Sequence, residues 1–262
     1  MDRLFADGTV NAAVSGEGPT LFLLHSLLSD RASFASIAPE LSRSHRVVVA
    51  ELPGFGGSHA VSGGLAAVAD RMAKVVSEVG DKDAIVLGNG YGGFIALQMA
   101  IRHPSIGSKF ILADCGAAFS EPGREAFRNM AAASKAKGLA AITDVAMRRL
   151  FAPEFQAAHP DLMRDRRDAF LKTDPAVLQA ACAQLAELDL RPELPKVKMP
   201  VLVLVGEQDE ATPPPMSHEL AALLPNARLK VLAGCAHVPQ LQAPAAFLEA
   251  IADFLNPVHA SA

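Results

Sequence analysis

A glycine-rich turn between a strand and a helix constrains the fold of this chain more than any other stretch. Residues 84–97 read AIVLGNGYGGFIAL, so an apolar β-branched run passes into a segment of helical spacing across Gly88, Gly90 and Gly92. Glycine tolerates the backbone angles and the close contacts that so sharp a turn demands. The sequence therefore predicts a buried strand that turns directly into a packed helix, which is the building unit of a parallel α/β sheet.

The same turn has the form of a nucleophile elbow that lacks its nucleophile. In the G-x-S-x-G form of this turn, the central serine sits on a strained backbone with its side chain held above the sheet. The central residue here is Gly90, which offers no oxygen or sulfur atom to attack a substrate. We expect the frame of the elbow to be kept, and covalent catalysis by residue 90 is excluded.

Strands and helices alternate on both sides of the elbow. Continuous apolar runs predict strands at 20–25, 45–52, 109–114 and 201–205, and residues 228–232 complete the series. Segments of helical spacing, at 34–41 and 65–79 among others, connect them, and residues 4–14 read as a hairpin. This alternation predicts an α/β fold with a mostly parallel, doubly wound sheet.

A block without strand-like runs interrupts this pattern between residues 119 and 194. Four segments of helical spacing lie in it, at 121–137, 139–151, 154–172 and 175–188. We predict a helical lid at 119–194 that divides the core domain into a first part, 1–118, and a second part, 195–262. A lid over the strand ends would shape a pocket and exclude water. The alternative is a set of helices packed on the sheet with no gating role.

Composition narrows the class of function. The chain has 262 residues, half of them hydrophobic, and a scattered net charge of −4 without a basic stripe, so we expect a small-molecule substrate and neither nucleic acid nor membrane as partner. The cysteines lie far apart without C-x-x-C spacing, which argues against disulfides and structural zinc: Cys115, Cys182 and Cys235. The start of the chain lacks the pattern of a secretory leader, so we expect a cytoplasmic protein. We also expect that the protein uses no metal ion and no cofactor. A homodimer is left open.

An acid and a base follow two of the predicted strands. Asp209 comes after the strand at 201–205, and His237 follows the strand at 228–232. Open α/β sheets bind ligands at the carboxyl ends of their strands, so both side chains are placed where a pocket forms. The chain order of elbow, acid and base is that of the Ser…Asp…His triad, in which His is the general base and Asp orients it. Asp114, at the end of another strand, is an alternative acid for His237.

These motifs together resemble those of α/β-hydrolase-fold enzymes over essentially the whole chain. The matching loops are Ser26–Asp30 at the usual oxyanion position, 52–58 (LPGFGGS), 206–213 around the acid and 234–237 around the base. Within this superfamily the chain is most similar to 3-oxoadipate enol-lactonases. They similarly carry a Ser-Leu-x-x-Asp loop, and their lids have a step resembling Arg148–Phe151. The resemblance implies hydrolysis of a small ester or lactone.

The resemblance also implies roles for further residues. The backbone N–H groups of Leu27 and Tyr91 are expected to form the oxyanion hole, and Arg149 is expected to bind a substrate carboxylate. Ser26 is expected to shape its loop and contact the substrate rather than to react, because the enol-lactonases carry a serine there beside their nucleophile. With glycine at position 90, we expect room for a water molecule beside the base.

Four hypotheses about function follow from the missing nucleophile. The first is a hydrolase in which His237 and Asp209 activate water, and the second is a hydrolase whose serine at position 90 has been replaced. The third is a cofactor-free lyase or oxygenase that uses the same base. The fourth is a non-catalytic member of the fold that binds a ligand.

Overall fold

An eight-stranded sheet forms the centre of the molecule in the computed structural model, which describes residues 1–255. Its strands are β1 (Asp2–Phe5), β2 (Val10–Ser15), β3 (Thr20–Leu24), β4 (Arg46–Ala50), β5 (Ile85–Asn89), β6 (Lys109–Ala113), β7 (Val201–Gly206) and β8 (Ala227–Leu232). Their order across the sheet is β1-β2-β4-β3-β5-β6-β7-β8. The pairs β1–β2 and β2–β4 are antiparallel, and all the other pairs are parallel. The predicted fold class is therefore confirmed.

The central strands are apolar on both faces because helices cover both faces of the sheet. Every residue of β3, β5 and β7 is buried. Alternate residues contribute to two separate apolar clusters, so Phe22 lies in one cluster and Leu23 in the other. Continuous hydrophobic strands of this kind are typical of parallel sheets between two helical layers.

Eleven α-helices are present in residues 1–255. They are α1 (Ala38–Leu41), α2 (Gly64–Val79), α3 (Tyr91–Arg102), α4 (Glu121–Lys137), α5 (Thr143–Leu150), α6 (Pro153–Ala158), α7 (Pro160–Phe170), α8 (Pro175–Glu187), α9 (Pro214–Leu223), α10 (Pro239–Gln242) and α11 (Pro244–Leu255). Helix α2 ends where Gly80 takes a left-handed conformation with φ of 76°, a common helix C-cap. No helix in this part of the chain combines the length and the apolar character needed to cross a bilayer.

Prolines explain two differences from the predicted helices. The helix predicted at 34–41 is a 3-10 turn, Arg31–Phe34, followed by the short α1, because Pro39 favours a new start over a continuous helix. The single helix predicted at 154–172 is divided into α6 and α7 at Pro160, which occupies the first position of α7.

Helices α4 to α8 form the block between residues 119 and 194. Arg124 joins the two ends of this block by donating hydrogen bonds to the carbonyl groups of Phe119 (3.0 Å), Ala186 (2.6 Å) and Leu188 (3.1 Å). The block therefore leaves and re-enters the core at one place, above the carboxyl end of β6. Residues 256–262 of the predicted second core segment lie outside the described residues.

Candidate active site

An aspartate and a histidine form a hydrogen-bonded pair at the carboxyl edge of the sheet. Asp209 Oδ2 lies 2.9 Å from His237 Nδ1, and both side chains are buried. The carboxylate also accepts hydrogen bonds from the hydroxyl of Thr212 (2.6 Å) and from the backbone N–H groups of Ala211 (2.8 Å) and Thr212 (3.1 Å). These bonds fix the carboxylate, and the carboxylate in turn orients the imidazole so that its Nε2 faces the pocket.

The surroundings of Asp209 keep it ionised. Burial acts to raise the pKa of its carboxyl group, but the charge of His237 and the hydrogen bonds from His237 and Thr212 outweigh burial. The resulting pKa lies below the ordinary value for aspartate. An ionised carboxylate at this place stabilises the imidazolium that forms when His237 takes a proton.

Asp114 lies behind this pair and has a different role. Its carboxyl group accepts hydrogen bonds from the N–H of Gly206 (2.8 Å) and the amide of Asn89 (3.2 Å), and it has no hydrogen bond to His237 in the described structure. Burial and the neighbouring charge of Asp209 hold the pKa of Asp114 well above its usual range. The alternative acid therefore makes no hydrogen bond to the base within the described residues.

A metal ion is not favoured at this cluster. Ligand atoms of Asp114, Asp209 and His237 lie within 4.8 Å of one another. However, the raised pKa of Asp114 favours its neutral form. The facing atoms of the other two residues, Asp209 Oδ2 and His237 Nδ1, are hydrogen-bonded to each other. A metal ligand must be deprotonated and must have a free lone pair.

The elbow is present, and a serine from the neighbouring loop fills the space above it. Gly90, between β5 and α3, has φ of 54° and ψ of −117°. A Cβ atom at this position would lie 2.6 Å from His237 Nε2 and 2.9 Å from Ser26 Cβ, and it would be closer still to Ser26 Oγ. Ser26 Oγ is itself 3.2 Å from His237 Nε2. The space expected for a water molecule beside the base thus holds the Ser26 hydroxyl group.

Two backbone donors face the same space. Within residues 1–255, the N–H groups of Leu27 and Tyr91 have no hydrogen-bond acceptor, and both residues line the pocket. The Tyr91 N–H lies at the first turn of α3, where N–H groups have no partner inside the helix and the helix dipole favours negative charge. These two donors are where an oxyanion could be held.

The pocket next to His237 is narrow and mostly apolar. Its cavity volume is about 30 Å³. That is room for about two waters, so a larger ligand can enter only if side chains that line the pocket move. The lining residues come from the core and from the block at 119–194: Ser26, Leu27, Leu28, Gly90, Tyr91, Phe94, Phe119, Phe127, Met130, Arg149, Leu185, Ala211, Thr212 and His237.

Arg149 brings a positive charge to this apolar pocket. Its guanidinium lies 6.0 Å from the centre of the Phe127 ring, and it has no carboxylate partner in the described part of the chain. Burial lowers the pKa of this guanidinium, although the charges of Asp209 and Glu210 act in the opposite direction. An unpaired and largely desolvated cation in a pocket is a natural partner for a ligand anion.

Sequence reasoning missed two residues that hold the site together. The buried amide of Asn89 donates to the carbonyl of His237 (2.9 Å) and accepts from Gln240 (3.0 Å), so it fixes the loop that carries the base. Thr212 closes a turn around Asp209 through its hydroxyl and N–H groups. The spacing Asp209-x-x-Thr212 is a signal for such a turn, whereas nothing local marks the long-range contacts of Asn89.

The fold and this geometry define the class of the protein. A family model of the alpha/beta hydrolase fold matches residues 19–244, and the chain belongs to this family. The predicted class, a hydrolase of the α/β-hydrolase fold, is confirmed by this match together with the relatives described below.

Known relatives include esterases and a lactonase. A pimeloyl-[acyl-carrier protein] methyl ester esterase of Vibrio cholerae is 30% identical over 256 residues, which cover 92% of this chain and 96% of the esterase. A stretch equal to 12% of the polyketide synthase ThaQ of Burkholderia thailandensis is also 30% identical, over 92% of this chain. Among solved structures, an enol-lactonase from Burkholderia xenovorans has a TM-score of 0.88 and 26% identity, covering 94% of this chain and 96% of the lactonase.

Proposed function

We propose that this protein hydrolyses a small carboxylic ester or lactone that carries a second, ionised carboxylate. The observation that carries the proposal is the convergence of a base–acid pair, His237 and Asp209, with two unpartnered N–H donors and an unpaired cation in one pocket. The likeness to methyl ester esterases and to an enol-lactonase supports the same chemistry, because both act on an acyl–oxygen bond.

Each group has a definite part in such a reaction. His237 Nε2 takes the proton from the attacking oxygen and returns it to the leaving oxygen. The N–H groups of Leu27 and Tyr91 hold the oxyanion that forms at the carbonyl group, a contribution of about 3–4 kcal/mol per donor in a comparable site. Asp209 stabilises the charged imidazole during both transfers.

Arg149 is the group that selects the substrate. A guanidinium–carboxylate pair that is shielded from water contributes about 1.5–3 kcal/mol, so its loss should weaken binding by about 10- to 150-fold. Two substrates test this role. One is the mono-4-nitrophenyl ester of a straight-chain dicarboxylic acid, and the other is the same compound with its free carboxylate converted to a methyl ester. We expect Arg149→Met to raise KM for the carboxylated ester and to leave the methylated one nearly unchanged.

Arg148→Met is the matched control, because Arg148 is adjacent on α5 and exposed while the change in charge is the same. Its KM for both esters should stay close to the wild-type value. The carboxylate proposal fails if Arg149→Met affects the two esters equally, or affects neither.

A non-catalytic ligand-binding protein is the second candidate. Two observations favour it, the glycine at position 90 and the small free volume of the pocket. The two candidates separate in one measurement: an ester hydrolase loses its turnover in the His237→Ala variant, whereas a binding protein has no turnover to lose and should still bind a dicarboxylic acid.

A further inference from the structure

A serine outside the elbow completes a hydrogen-bonded triad. Ser26 Oγ lies 3.2 Å from His237 Nε2, and His237 Nδ1 lies 2.9 Å from Asp209 Oδ2. In the described residues, His237 is the one hydrogen-bond partner of the Ser26 hydroxyl group. The side chain is only 2% exposed, yet it lines the pocket, so what little access it has is from the substrate side.

The strand register explains how a serine from another loop reaches this place. Strands β3 and β5 are parallel neighbours in which Leu24 pairs with Gly88. Ser26 and Gly90 each lie two residues beyond that pair, so they face each other at the same height above the sheet. A side chain at position 90 would occupy the space that the Ser26 side chain occupies now.

The backbone of Ser26 is held rigidly, as a reacting group must be. Its carbonyl accepts a hydrogen bond from Nδ1 of the buried His25 (2.9 Å), whose Nε2 accepts one from the N–H of Leu52 (3.2 Å). The carbonyl of His25 accepts a further bond from the N–H of Gly92 (3.0 Å), which ties the loop to the start of α3.

We propose that Ser26 is the nucleophile of this enzyme, an inference that rests on the proposed ester hydrolysis. Ser26 Oγ attacks the carbonyl carbon of the ester while its proton passes to His237 Nε2. The oxyanion collapses, the bond to the leaving oxygen breaks, and His237 protonates that oxygen, so alcohol leaves and the acyl group stays on Ser26. Water then attacks the acyl-enzyme, gives its proton to His237, and releases the acid as the proton returns to Ser26 Oγ.

The oxyanion donors suit this arrangement. In the α/β-hydrolase elbow, one donor is the N–H of the residue after the nucleophile and the other belongs to the loop after a neighbouring strand. With Ser26 as nucleophile, Leu27 is the residue that follows it, and Tyr91 on the elbow supplies the second donor. The loop that carries Ser26 therefore supplies the nucleophile and the elbow supplies only an oxyanion donor, while the same two N–H groups, those of Leu27 and Tyr91, hold the oxyanion.

A serine that only steers the imidazole would have the same hydrogen bond but would not form a covalent adduct. A biotinylated fluorophosphonate distinguishes the two roles, because Oγ attack at phosphorus expels fluoride and leaves a stable phosphonyl ester. Trypsin releases residues 4–31 as one peptide, in which Ser15 and Ser29 are internal controls for localisation by tandem mass spectrometry.

We expect the wild-type protein to be labelled at Ser26 and to hydrolyse 4-nitrophenyl butyrate. Ser26→Ala should lose the label and at least about 10³-fold in kcat/KM, and His237→Ala should lose both as well. Ser29→Ala is the matched control: it lies on the same loop, and its hydroxyl group has no hydrogen bond within residues 1–255. Its label and its kcat/KM should stay within about twofold of the wild type, and circular dichroism melts should show that each variant is folded.

The outcomes separate this proposal from the proposed function. If Ser26 is unlabelled, or Ser26→Ala remains active while His237→Ala is inactive, the nucleophile proposal is overturned and water activated by His237 takes its place. If Ser26 is labelled but the wild type cleaves esters no faster than His237→Ala, ester hydrolysis fails while the reactive serine stands. If neither label nor turnover is found, both proposals fail.

Discussion

Adding a β-carbon at position 90 should destabilise the fold by an amount that depends on the side chain at position 26. The Gly90 backbone has a positive φ of 54° with ψ of −117°, and such a sparsely populated conformation costs a residue with a β-carbon about 1–3 kcal/mol. The added atom also displaces the Ser26 hydroxyl group, and the lost hydrogen bond to His237 costs about 1 kcal/mol more. Gly90→Ala should therefore lower the free energy of unfolding by at least about 2–4 kcal/mol, because the close approaches of the new atom to His237 Nε2 (2.6 Å) and Ser26 Cβ (2.9 Å) add to these two costs.

The dependence on Ser26 appears in a double-mutant cycle. In a Ser26→Ala background the hydrogen bond is already absent, whereas the close approaches to His237 Nε2 and to the β-carbon of residue 26 remain. Gly90→Ala should therefore cost about 1 kcal/mol less in that background than in the wild type, and this difference is the coupling energy. The chain has no tryptophan and one tyrosine, so urea unfolding is best followed by far-ultraviolet circular dichroism.

Gly80→Ala is the control for backbone strain alone. Gly80 has φ of 76°, and a Cβ atom there would have no neighbour within 4 Å. Its cost should be about 1–2 kcal/mol and independent of residue 26. If Gly90→Ala has the same cost in both backgrounds, the Ser26 side chain does not occupy the space above the elbow, and the structural argument for its role is refuted.

Two further predictions concern the acidic residues. Asp209→Asn should lower kcat by about 10³- to 10⁴-fold with little change in KM, because the amide favours the wrong imidazole tautomer, and steady-state kinetics will show it; a fall below tenfold would contradict an orienting role. For Asp114 the pKa is raised by folding, so its contribution to stability is present below the unfolded value of about 3.9 and is lost as the pH rises. Asp114→Asn removes this loss, so its stability relative to the wild type should rise as the pH is raised above about 4 in urea titrations, and a difference that does not change with pH would contradict the shifted pKa.

The fold could be predicted because most of its strands are continuous apolar runs and because glycines mark its turns clearly. Four glycines between residues 88 and 93 mark the turn from β5 to α3, and Gly80 marks the end of α2. The strand β8 lies at the edge of the sheet with half-buried and exposed residues, and it can be predicted from its alternating charged and apolar residues, Arg228 to Val231, and from its place after α9. The helix boundaries between residues 119 and 194 were harder to predict from the sequence. A proline at a first helical position, such as Pro160, divides one helix into two without changing the spacing of the apolar residues.

The site could be predicted only where local sequence carries the signal. Asp209 and His237 follow strands directly, so their positions follow from the topology of the sheet. The contact between Ser26 and His237 joins residues 211 positions apart, and it depends on the absence of a side chain at a third residue. No local sequence pattern predicts this contact, because it depends on whether the space above Gly90 is free in the folded structure.

The pairing of Leu24 with Gly88 has a consequence for how catalytic serines are recognised in this family. Two adjacent parallel strands end at the same level, so the imidazole of His237 can be reached from the end of either strand. Since a side chain at position 90 would displace that of Ser26, a nucleophile can stand beside His237 Nε2 at the end of one strand or of the other, but not at both at once. Assigning inactivity to members of the fold from the elbow motif alone would then overlook enzymes whose nucleophile had moved to the neighbouring strand.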